Sequence, residues 1–166
     1  MFEKLVEWRL FSRGEYFVRS GEVIEYAGWI VSGSFKYSLT SSDGNNTVIS
    51  FSLDDFLLIG YESVMHFTKM RTDIIALEDS EVIIIPAKII REKLNRDHEL
   101  NMNLMRGLLE QLYDQFLEFC RHTPAQRYLQ LLDRYPRIIE IASYGDIASY
   151  LNISRPQLSR VRKICN

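Results

Sequence analysis

The residues best equipped for chemistry lie near the C-terminus, in the run Ser154-Arg155-Pro156-Gln157-Leu158-Ser159-Arg160-Val161-Arg162-Lys163. It holds four cations and no carboxylate. Leu158 and Val161, three apart, mark one apolar side of a helix. Arg155, Ser159, Arg160 and Lys163 share a face by helical spacing. Such a face offers guanidinium forks for the edge of a guanine, and hydroxyl and ammonium groups for phosphate. Arg155 and Arg160 are therefore the candidates for base contact. Ser154, Gln157, Ser159, Arg162 and Lys163 are expected mainly to position the helix.

Other reactive side chains form no comparable group. His66, His98 and His122 are scattered, and no two have metal-ligand spacing on one element. This argues against a cupin-like oxidase or isomerase, which needs a histidine cluster on adjacent strands, so no metal is expected. No Ser or Cys nucleophile has a recognisable His partner. The two cysteines, Cys120 and Cys165, lie far apart and cannot form the framework of a disulfide-rich domain. Cys120 is expected to be a small buried hydrophobe.

The basic helix needs a scaffold, and the residues before it supply one. Ser143 caps a first helix, with Asp146 three residues on. Ile147, Ala148 and Leu151 form its inner face, and Ala148 is small enough for a second helix to cross closely. Asn152 occupies a turn that needs left-handed backbone, where Asn is the best substitute for Gly. Ile153 plugs the space under the turn, Ser154 caps the second helix, and Pro156 is tolerable in its first turn. The pattern predicts helix, tight turn, helix, a shape that fits the DNA major groove.

Further back, Asp97 caps a long helix running to about His122. Met102, Met105, Leu109, Leu112, Phe116 and Phe119 are spaced 3, 4, 3, 4, 3 along it, a heptad seam suited to a dimer. Leu100, Leu104 and Leu108 form a second stripe. Gly107 weakens this helix by about 1 kcal/mol relative to Ala. A short helix from Ala87 to Leu94 precedes it. A helix from Pro124 to about Tyr135 follows, and two more short helices finish the chain.

Residues 8–86 read instead as short strands punctuated by Gly and Ser, which suggests a sandwich or barrel. Phe35, Tyr37 and Leu39 alternate with Lys36 and Ser38, the half-buried strand pattern. Residues 41–46 are expected to close a hairpin, and Gly33 separates two runs that would otherwise merge. Charge divides the chain in the same place. Residues 1–120 carry 12 Lys/Arg against 19 Asp/Glu, whereas residues 121–166 carry 8 against 3. An acidic body with a basic tail suggests two jobs, the second involving a polyanion. With 46% hydrophobic and 25% charged residues, the 166-residue chain has the composition of an ordinary globular protein, which excludes a disordered tail or a coiled-coil rod. It shows no signal-peptide pattern and no stretch near 20 apolar residues, so a cytoplasmic setting without a membrane is expected.

These features together resemble the Crp/Fnr family of bacterial transcriptional regulators over nearly the whole chain. Ser20-Gly21-Glu22 through Val31-Ser32-Gly33-Ser34 is similar to the opening of that family's cyclic-nucleotide-binding β-roll, and Asp43-Gly44 to its hairpin. Ile147-Ala148 through Ser154-Arg155, with Leu158-Ser159-Arg160-Val161, is similar to its DNA-reading motif. The resemblance implies an α+β fold: a double-stranded jelly-roll sensor at 1–94, a dimerisation helix at 95–122, and a helix-turn-helix domain at 123–166. It implies a homodimer on near-palindromic duplex DNA, with RNA polymerase as a further partner. In nucleotide-binding members a Gly-Glu pair and, about ten residues on, an Arg-Ser or Arg-Thr pair hold the ligand. Here Gly60, Glu62, Arg71 and Thr72 correspond, but Tyr61 stands in the place of the Glu, and in an extended segment Glu62 would face the opposite way. These departures favour a β-roll that has lost its ligand or takes one other than cyclic AMP, with Arg71 available to a small anionic effector, and no cofactor is assigned. Pro156 and Gln157 stand where the family often has Glu-Thr, so the DNA site is expected to differ. The chain stops at Cys165-Asn166, where the family usually continues into a β-hairpin wing, so a wingless domain is expected. The competing reading is a ligand-sensing or protein-interaction dimer that has lost DNA binding.

Overall fold

The computed structural model describes residues 7–40 and 46–165. The chain divides into two compact units, residues 1–92 and 93–166.

The first unit is built from strands β1 (Glu7–Phe11), β2 (Tyr16–Val18), β3 (Tyr26–Ser32), β4 (Phe35–Thr40), β5 (Asn46–Ser52), β6 (Leu57–Leu58), β7 (Asp73–Ala76) and β8 (Ser80–Pro86). They form two four-stranded sheets, ordered β1-β8-β3-β6 and β2-β7-β4-β5, and every pairing among the described residues is antiparallel. Phe11, Ile30, Phe35, Leu58, Ile74 and Val82 fill the core. The rings of Phe11 and Phe35 meet edge to face with centroids 5.7 Å apart. Gly33 separates β3 from β4 at φ +107°, and a Cβ there would strike Ser80, so only glycine fits.

The simple alternation expected in β4 does not hold. The register between β4 and β5 shifts between Tyr37 and Ser38. Ile49 of β5 is the extra residue at this bulge, and beyond the shift Ser38 is buried while Leu39 is exposed. The hairpin expected at 41–46 lies, apart from Asn46, outside the described residues.

A second departure is helix α1 (Tyr61–His66), where extended chain was expected. Its hold is non-local. The Ser63 hydroxyl accepts from the backbone N–H of Ile24 at 2.9 Å, and Val64 is fully buried. The helix ends at Phe67, which adopts φ +57° and donates its N–H to the Ser63 carbonyl. Helix α2 (Ala87–Arg96) follows β8 directly. Its Arg91 donates from Nε to the Val64 carbonyl and lays its guanidinium 3.7 Å from the Phe67 ring centroid, so α2 is tied to α1.

The second unit holds α3 (His98–Arg121), α4 (Pro124–Arg134), α5 (Ile138–Ile141), α6 (Tyr144–Tyr150) and α7 (Arg155–Cys165). Asp97 caps α3 as expected, accepting from the Leu100 N–H. Thr123 and Gln126 close a capping box on α4. The single turn α5 is an addition to the two helices expected at the end of the chain. Its Ile138 is fully buried, so tertiary packing holds a turn too short to persist alone. Tyr128, Leu131, Ile147, Ala148, Leu151, Leu158 and Val161 complete this unit's core. Helix α3 has no buried residue along its 24 positions. Cys120 is exposed there rather than buried, because the end of α3 turns that side chain outward. No described helix is long and apolar enough to cross a membrane.

Candidate nucleic-acid interface and effector site

The turn between α6 and α7 is fixed by local chemistry. Ser143 accepts from the Asp146 N–H at 3.0 Å and donates to its carboxylate at 2.7 Å. Asn152 stands at φ +51°, the left-handed conformation that its type suggests. The Ile153 N–H reaches back to the Ala148 carbonyl at 3.0 Å. Ile153 is only half-buried, so Leu151, buried beneath the turn, is the main plug. Ser154 and Gln157 form a second reciprocal cap: Ser154 N–H to Gln157 Oε1 at 2.8 Å, and Gln157 N–H to Ser154 Oγ at 3.3 Å. The Ser-x-x-Gln spacing carries that box in the sequence. Ser154 and Gln157 thus hold the start of α7.

The remaining candidates sit on the open side of α7. Ser159, Arg160 and Lys163 are exposed, and Arg162 is half-buried with its guanidinium 5.7 Å from the Tyr144 ring centroid. Arg155 is exposed but folds over the start of α6, where a Cβ on Gly145 would lie 2.7 Å from its Nη2. Tyr144, Ser159, Arg162 and Lys163 line one open depression. Tyr144 was not singled out from sequence, and its place just after the cap Ser143 is the signal that marks it. No acidic residue occurs after Asp146, so the positive face of α7 is not neutralised within its own helix.

Helix α4 joins this face to α3. Arg134 meets Glu118 at 2.7 Å, with Tyr150 beside the pair. Burial raises the Tyr150 phenol, against a lowering by the Arg134 charge. Arg127 donates from Nη1 to the carbonyls of Phe119 (3.3 Å) and His122 (3.0 Å), and from Nη2 to that of Leu151 (2.9 Å).

The expected dimer seam is a row of exposed apolar side chains. Met102 is 48% exposed, Met105 38%, Leu109 67%, Leu112 65%, Phe116 62% and Phe119 48%. Leu104 and Leu108 of the second stripe are half-buried, and Leu100 is exposed.

In the effector region, Gly60 is the N-cap of α1. Glu62 is exposed in the first turn of that helix, so its direction is set by helical rather than strand geometry. Arg71 is exposed and Thr72 half-buried. The open side of Gly60 is taken by the thioether of Met70, which is itself buried and would collide with any Cβ there. Tyr61 stands between Gly60 and Glu62 in this segment. Among the described residues, no three His, Cys, Asp or Glu side chains are grouped to hold a metal.

A two-sheet β-roll followed by a long helix and a helix-turn-helix defines the fold class of the Crp/Fnr transcription regulators. The chain belongs to the cyclic nucleotide-binding domain family, whose model matches residues 8–97. Among solved structures it is similar to FixK2 from Bradyrhizobium japonicum, with a TM-score of 0.80 and 20% identity over 96% of this chain and 83% of that one. It is also similar to a proposed regulator of the Crp/Fnr family from Eubacterium rectale, with a TM-score of 0.77 and 16% identity over 98% and 79%. A third is the c-di-GMP-responsive global regulator CLP of Xanthomonas campestris, with a TM-score of 0.72 and 15% identity over 98% and 87%. No curated protein matches the sequence.

Proposed function

We propose that this chain is a DNA-binding transcription regulator, not an enzyme, and that it works as a cytoplasmic homodimer. Residues 1–94 act as the sensor, 95–122 as the dimer helix and 123–166 as the reading head. The observation that carries this is the α6–α7 pair. Two caps, a left-handed Asn and two buried anchors lock a helix that carries four cations and no carboxylate. A lock of that kind serves a helix presented to a rigid, anionic groove. The exposed stripe of α3 supplies the symmetric contact needed to place two such heads on a near-palindromic site. The roll responds to a small anionic effector other than cyclic AMP, since Met70 covers Gly60 while Arg71 stays accessible. RNA polymerase is the partner through which such a dimer would act.

Arg155 lying over Gly145 lends weight to the competing reading, a dimer that senses ligand without binding DNA. One experiment separates the two. DNA selected from a random pool, with and without candidate nucleotides, is titrated by fluorescence anisotropy at several salt concentrations. Specific binding is expected, and Arg160→Ala should relax the sequence preference at one position by roughly 1–3 kcal/mol. Lys163→Ala should weaken all sequences evenly and lower the salt slope by about 1. No binding at low salt rejects the regulator reading.

A further inference from the structure

We infer that Arg127 is a positioning residue that sets the angle between α3 and the helix-turn-helix; this rests on the regulator reading above and adds a residue-level account of how the reading head is aimed. The link from α3 to α4 is only His122 and Thr123, both in extended backbone conformation, at φ/ψ −107°/142° and −66°/160°. The helix is interrupted at this joint, so its angle is not set by continuous α-helical hydrogen bonding. One guanidinium spans it. Arg127, in the first turn of α4, donates to the carbonyls of Phe119 and His122 at the end of α3, and to that of Leu151, the C-cap of α6. Its guanidinium also sits 4.9 Å from the Phe119 ring centroid.

Two helix C-termini therefore converge on one cation. Each brings carbonyls that lack helical partners and the negative end of a dipole, so each is stabilised by the same charge. The fork geometry matters: three carbonyls from two helices are engaged at once, which a lysine ammonium on a flexible stem reproduces poorly. Phe119 is also the last residue of the exposed apolar stripe of α3. Arg127 thus touches the end of the expected dimer seam and the turn of the reading head together. The Arg134–Glu118 pair, two turns further along the same face of α4, is a second and weaker tie of the same kind.

The test uses the full-length chain. Spin labels are placed on α3 and α7 through Glu110→Cys and Ile164→Cys, with Cys120 and Cys165 replaced by Ser. Pulsed magnetic-resonance distances are compared with and without Arg127→Gln. A broadened or shifted distribution is expected in Arg127→Gln, with partial return in Arg127→Lys and an unchanged helical circular dichroism signal. An unchanged distribution overturns the inference, whether or not DNA is bound. The functional readout is a panel of palindromes whose half-site spacing varies by single base pairs. Arg127→Gln should lose affinity at the preferred spacing on the order of tenfold and flatten the spacing profile, leaving single half-site affinity unchanged. An equal loss on half-sites and on every spacing marks simple damage to the head and also overturns it. If the unaltered chain binds no DNA, the regulator reading fails, and the distance measurement alone decides the role of Arg127.

Discussion

Replacing Leu112 by Ala on α3 probes the symmetric contact on which a two-headed regulator depends. Leu112 is 65% exposed in the single chain, in a stripe with Leu109 and Phe116 of similar exposure. The substitution removes three side-chain carbons, worth about 2.4 kcal/mol if they were fully buried on association. About two thirds of that surface is free to be newly covered, which leaves about 1.6 kcal/mol per protomer. A twofold axis places the change on both sides, so the dimer loses about 3 kcal/mol, roughly 150-fold in Kd. Sedimentation equilibrium over a dilution series measures this directly. A dimer for the unaltered chain and a monomer shift for Leu112→Ala are expected, with thermal unfolding of the monomer little changed because about two thirds of the residue is exposed in the single chain. An identical dissociation constant for the two proteins, or a monomeric unaltered chain at high concentration, refutes the reasoning.

The turn of the reading head offers a second test. Asn152 sits at φ +51°, so Asn152→Ala should destabilise by about 1 kcal/mol, while Asn152→Gly should be neutral or slightly stabilising. Denaturant melts followed by circular dichroism decide this, and an Ala variant as stable as the Gly variant contradicts the assigned backbone. A third test uses Tyr37 of β4, whose phenol burial pushes up to about 12 from 10.0, partly offset by a hydrogen bond to the Ile59 backbone. The folded form holds its proton more tightly than the unfolded chain. Its stabilising contribution is therefore complete below pH 10.0 and is lost as pH rises toward about 12. The tyrosinate absorbance difference between the natural chain and Tyr37→Phe should titrate near the upper limit of that window. A midpoint at the ordinary tyrosine value shows that Tyr37 is solvated.

The local machinery follows from residue type and short-range spacing. Caps at Asp97, Ser143 and Ser154 involve partners three residues away, and the left-handed turn at Asn152 is a property of one residue's backbone. Interactions of that range leave their mark on residue type and spacing, so the helix-turn-helix and the long amphipathic α3 were legible. Features that depend on groups distant in the chain emerge from the folded arrangement. Helix α1 is a six-residue segment held by an N–H 39 residues away and by Arg91 of α2. The bulge at Ile49 of β5 shifts that strand's register against β4, where Ser38 rather than Leu39 is buried. Met70 comes against Gly60 across a ten-residue excursion, a contact that residue spacing does not reveal. Arg127 looks in sequence like any surface cation of an amphipathic helix. Its role emerges only where the ends of α3 and α6 come together around it, because a hydrogen bond between remote carbonyls and a side chain leaves no period in the chain.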